Sequence, residues 1–115
     1  MTPDRGRWLA ALAMSVFGAF GSGAVAQSGG FAAMMTDAMV RMDRDMMRSM
    51  NGAPDHDFAA MMIPHHQGAI AMAKSELKYG QDPVLRQLAK DIIEAQKSEI
   101  ALMQRWLKQN ASAKK

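Results

Sequence analysis

The segment from Ala60 to Ala73 reads AMMIPHHQGAIAMA, with adjacent histidines set among methionines. Imidazole suits copper and zinc, and the thioether is a soft neutral donor suited to Cu(I). Met61 and His65 are one helical turn apart, as are Met62 and His66, so each pair can aim two donors at one point. Met72 follows two turns on, and Asp57, Met61, His65 and Met72 share an arc of roughly 80° on a helix. Adjacent residues diverge by roughly 100°, so one ion held directly by both histidines does not suit a regular helix. His65 is expected to face the bundle and His66 its edge. Pro64 cannot donate to the Ala60 carbonyl, so a kink is expected there that gathers the Met61/Met62 turn and the histidines into a shallow pocket. The plain alternative is a tolerated proline beside an ordinary core histidine.

A second donor set lies upstream. Met35, Met39, Met42, Met46 and Met50 fall within roughly 80° of one another at helical spacing. Asp37, Arg41, Arg44, Asp45 and Arg48 occupy the other side, Asp37 and Arg41 at the favourable i, i+4 spacing. Methionine fills irregular gaps in cores, which is the bland explanation of such a stripe. Five successive seam positions without a leucine go beyond what packing asks for, since cores favour side chains with well-defined rotamers. Met35, Met39, Met42 and Met46 therefore join the candidate metal ligands. The later segment AQKSEIALMQRWL (95–107) adds Gln96 and Glu99, polar residues inside the stripe of Leu85, Leu88, Ile92, Met103 and Trp106. Buried polar groups need partners, and His65 or a bound cation is the expected one.

The elements that must hold these donors can be read from punctuation. The chain has 115 residues, no cysteine and 13 methionines. It opens with Arg5 and Arg7, an apolar run from Trp8 to Phe20 and the triplet Ala24-Val25-Ala26, the order of a secretory signal peptide over 1–26. Removing 26 of the 115 residues leaves 89, with 12 basic against 10 acidic groups and eleven methionines. An exported chain without cysteine has neither disulfides nor thiolate ligands. Its near-balanced, interspersed charge excludes a dedicated nucleic-acid surface. Once the signal is cleaved, no membrane attachment is expected.

QSGG (27–30) reads as a flexible leader, and a helix follows from Phe31 to Met50. NGAPDHD (51–57) reads as a loop, with Asp55 or Asp57 free to cap a second helix that runs to Tyr79 and stops at Gly80. Asp82 and Pro83 read as the N-cap and first position of a third helix to about Gln109. Residues 111–115 form a polar tail. The expected fold of the 31–110 domain is all-α, an up-down antiparallel helical bundle of three main helices. Three helices make a thin core, which a homo-oligomer would thicken.

HDFAAMMIPHHQGAIAMA (56–73) followed by AQKSEIALMQRWL (95–107) resembles the domain-of-unknown-function 305 family over about Asp55 to Leu107. Those are ferritin-like helical proteins of the bacterial periplasm, some of which, of the CopM type, bind copper or silver and support copper resistance. The resemblance implies a four-helix-bundle relative and a periplasmic location. It also implies that His65, His66, Met62 and Met72 are metal-site residues, with Gln96, Glu99 and Met103 matching the later motif. The Glu-x-x-His signature of di-iron bundles is absent: none of Glu76, Glu94 and Glu99 is followed by histidine three residues on.

The expectation is thus a periplasmic or secreted protein that sequesters or carries copper and is not an enzyme. Cu(I) would sit on methionine clusters with Ag(I) as a surrogate, and Cu(II) on His65, His66 or His56 with a carboxylate. A copper efflux or delivery protein is the partner such a role calls for. The alternative is a metal-free, methionine-rich helical module that grips partner peptides.

Overall fold

The computed structural model describes residues 21–111, which form three helices: α1 (Gly21–Arg48), α2 (Pro54–Tyr79) and α3 (Pro83–Asn110). There is no strand among the described residues. The signal-peptide reading falls mostly on residues outside that range. Gln27 to Gly30, expected as a leader, instead lie within α1. Packing overrides the poor helix propensity of glycine here: the Tyr79 ring occupies the space where a Cβ on Gly30 would go, its Oη 2.5 Å from that point. Phe31 meets the same ring edge-on, at 6.3 Å between centroids.

The three helices run antiparallel in sequence order. Gly30 near the start of α1 meets Tyr79 at the end of α2, and Phe58 and Ala59 early in α2 share a cavity with Met103 and Trp106 late in α3. α1 and α3 each pack on α2, and among the described residues they do not pack on each other. The layer they form leaves an open trough above α2.

The buried hydrophobic core is small: Ala38, Ala59, Ala73, Ala89 and Ile93. Four of the five are alanines, which lets the helix axes approach closely. Gly68 goes further, because a Cβ there would come within 2.8 Å of Met42 Sδ and 3.1 Å of Met42 Cβ. We expect Gly68→Ala to cost about 1–3 kcal/mol through overpacking, read as a lower midpoint in urea unfolding. An unchanged midpoint would mean that α1 stands farther from α2 than this contact requires.

The turn between α2 and α3 follows its sequence signals. Asp82 Oδ1 accepts from the Val84 and Leu85 amides, both at 2.9 Å, and Pro83 takes the first helical position. Gly80 stops α2 at an ordinary φ of −72° rather than a left-handed one. Its missing Cβ makes room for the Glu76 carboxylate. Arg86 Nη1 donates to the carbonyls of Leu77 (2.7 Å) and Gly80 (2.9 Å), covering the open C-terminal end of α2.

The loop before α2 differs from expectation. Ala53 is the N-cap, and no side chain caps the helix. Asp57 instead accepts from two loop amides, Asn51 (2.7 Å) and Gly52 (2.8 Å), while Gly52 takes a φ of 93°. Two converging amides outcompete a cap, and the turn that delivers them needs a left-handed glycine. The Asn51 amide first, then His56 and the Gly52 amide, hold the Asp57 carboxyl below its ordinary value of 3.8. Stability from this clasp is therefore present above pH 3.8 and lost as the pH falls through the lower folded value. We expect Asp57→Asn to loosen residues 51–53 at neutral pH, seen as faster amide exchange at Asn51 and Gly52. Unchanged exchange would remove the clasp from the account.

Candidate metal centre

α2 is the middle helix, so it has two buried flanks and a ridge between them. His66, Ala59 and Ala73 lie on the flank toward α3; Pro64, Gly68 and Ser75 lie on the other, where Gly68 meets α1. The expectation that His65 faces inward and His66 the edge is thereby reversed. His66 is buried, with 9% of its surface exposed, whereas His65 is exposed. The reason is geometric: the 100° between neighbours carries His66 onto the α3 flank and leaves His65 on the ridge.

His66 Nε2–H donates to Glu99 Oε2 at 2.5 Å across the α2–α3 contact. A carboxylate only accepts, so the proton of a neutral ring sits on Nε2 and the lone pair on Nδ1. Nδ1 is buried and has no hydrogen-bond partner, and the same is true of Gln96 Oε1, one turn before Glu99. Two buried polar atoms on facing helices thus stand unsatisfied, one of them on a histidine oriented by a carboxylate. That orientation is how proteins fix the tautomer of a metal-ligating imidazole. Met62, one turn before His66, and Met103, one turn after Glu99, are half-buried thioethers on the same two helices, as are Met61 and Met72 on α2. The partner expected for Gln96 and Glu99 was His65 or a bound cation; Glu99 pairs with His66.

On the ridge, helical phase places Met61, His65 and Met72 toward the trough. Met72 and Met35 line one end of it, a 310 Å³ cavity shared with Leu85, Leu88 and Ile92. The methionine stripe of α1 is not the core. Met35, Met42 and Met46 are half-buried, and Met39 and Met50 are exposed. Met42 packs over Gly68 and lines a 390 Å³ cavity between α1 and α2 with Pro64 and Lys74, so packing accounts for that one thioether. The helix runs unbroken through Pro64, which is buried toward α1.

His56 stands apart from the other two histidines. Its Nδ1 lies 3.1 Å from Asp57 Oδ1, at a 520 Å³ cavity lined also by Asp55, Trp106 and Asn110. Among the described residues no three His, Asp or Glu side chains converge on one point. A metal site here would have to draw on thioether and amide groups as well. Sequence reasoning missed the clasping role of Arg86 and the pairing of His66 with Glu99. No window of sequence carries the signal for the pairing, because it depends on α2 having neighbours on both flanks.

Helical layer and paired His66–Glu99 together define an all-α protein with a polar, donor-rich seam. The chain belongs to the family described as Domain of unknown function (DUF305), whose family model matches residues 7–107. Over 46 residues it is 46% identical to Uncharacterized protein L153 of Acanthamoeba polyphaga mimivirus. That alignment spans 40% of this chain and 30% of the viral protein.

Proposed function

We propose that this chain is an exported copper-binding protein that holds Cu(I), and Ag(I) in its place, with histidine and methionine, serving sequestration, delivery or resistance rather than catalysis. The observation that carries this reading is that Nδ1 of His66 on α2 and Oε1 of Gln96 on the facing α3 are both buried and partnerless. A buried lone pair without a donor costs about 1–3 kcal/mol, which a cation between α2 and α3 would offset. The thioethers of Met62, one turn before His66, and Met103, two turns after Gln96, would make such a site soft. The resemblance to copper-binding relatives of the CopM type, and the ferritin-like four-helix architecture it implies, belong to the same proposal. So does a periplasmic or secreted location.

Competition titration under anaerobic conditions tests it, using untagged protein against a Cu(I) chelator and a Zn(II) chelator. Tighter binding of Cu(I) and Ag(I) than of Zn(II) is the expected outcome, since no thiolate is present and thioethers favour soft ions. Equal or tighter Zn(II) binding would sink the thioether assignment. A second reading has its own observation: Met39, Met47 and Met50 are all at least half exposed, as a peptide-gripping module would need. Such a module would bind no copper in the same titration.

A further inference from the structure

The trough above α2 has the makings of a two-fold site. Its ridge carries Phe58, Met61, His65, Ala69, Met72 and Glu76 within roughly 100°. Phe58 (64% exposed), Leu88 (51%) and Leu102 (59%) leave large apolar surfaces open along it. Isolated exposed leucines are ordinary; apolar surface at both ends of one trough, with the exposed His65 and the Glu99 carboxylate between them, is a binding surface. The cavities at its two ends are lined by Asp55 and Glu76 as their only charged residues, while Arg41, Arg44 and Lys74 line the α1–α2 cavity on the other side. A trough without basic groups does not suit an acidic peptide or a nucleic acid.

The ridge is also nearly symmetric about its own centre. α2 runs from Pro54 to Tyr79. His65 lies about 2 Å along the axis from the midpoint, and Met61 and Met72 lie at equal distances of about 8 Å on either side. A two-fold axis crossing the helix at that point sets Met61 of one copy opposite Met72 of the other and draws the two His65 rings together. The trough is about 39 Å long by helical rise and about 20 Å across two helix spacings, so some 800 Å² per copy would be covered. That equals the per-partner area of a standard stable interface. A core of four alanines and one isoleucine leaves each copy short of buried apolar surface, which this contact supplies.

We infer that a second copy of this chain docks trough to trough with α2 antiparallel to α2, bringing His65 of both copies together as one shared soft-cation site with a Met61–Met72 pair of opposite copies at either end of it. The interface follows from the trough alone; its metal rests on the proposed function. Sedimentation equilibrium of the metal-free protein should give twice the chain mass. Leu88→Glu/Leu102→Glu should give the single mass with unchanged helical circular dichroism, because both leucines are already half exposed in one copy. The chain has no cysteine, so Met61→Cys and Met72→Cys copies can be mixed and treated with a short bis-maleimide. Met61→Cys joined to Met72→Cys, in excess over like pairs, is expected. A monomeric wild type, a dimer indifferent to the Glu pair, or a preference for like pairs would overturn the interface. In the wild-type dimer, anaerobic titration with Cu(I) alone should lose one ion per dimer on His65→Ala; an unchanged count would overturn the shared site. A dimer with the predicted cross-link that takes up no Cu(I) would refute the proposed function and leave the interface standing.

Discussion

His66→Ala is expected to lower Cu(I) affinity by about 100-fold or more, roughly 2.7 kcal/mol, removing the tightest site that the proposed function gives each chain. The substitution takes away the Nδ1 lone pair, which is buried and has no protein donor to satisfy it. It leaves no buried charge behind, because the Glu99 side chain is 58% exposed and can turn to water. Glu99→Gln is the gentler probe. The imidazole stays, but the carboxylate that orients it is gone, so a 10–100-fold loss is expected. His65→Ala should leave this tight site intact, since His65 is exposed on the ridge and makes no bond to Glu99. Chelator competition on the three variants checks the order. Equal losses for His65 and His66 would mean that the carboxylate–imidazole pair is structural only.

The second large effect separates ligands from filler along α1. Met→Leu nearly conserves volume and usually costs less than about 1.5 kcal/mol in a core. The combined Met35→Leu, Met39→Leu and Met46→Leu variant should keep its helical circular dichroism and lose Cu(I) equivalents. Met42→Leu should keep full capacity, because that side chain is wedged over Gly68. Counting bound Cu(I) per chain decides between them. A triple variant that binds as much as wild type would return the stripe to packing, and a loss confined to Met42→Leu would put the ligand on the wrong flank of α1.

Sequence punctuation carried the helix boundaries well where the local chemistry is self-contained. Asp82 and Pro83 announce α3, and Asn51 and Gly52 mark the break after α1, because a cap or turn needs only its own neighbours. Gln27 to Gly30 misled for the opposite reason: the helix there is held by Tyr79, almost fifty residues away in sequence. The donor types of the site were legible in the MMIPHH run, but its geometry was not. A single apolar stripe on α2 implies one inner face, whereas α2 lies between two helices and buries residues on both flanks. That arrangement depends on α1 and α3 failing to meet, which is a tertiary fact no window of sequence contains. Asp57 shows the same limit on a smaller scale, since its two amide donors come from a loop whose shape depends on the left-handed Gly52.

X-ray absorption at the copper edge, on anaerobically loaded protein, tests the central claim most directly. Cu(I) is expected in a mixed shell of imidazole nitrogen and thioether sulfur, with the nitrogen contribution falling in His66→Ala. A shell of nitrogen and oxygen alone, or protein that emerges from loading without copper, would contradict it.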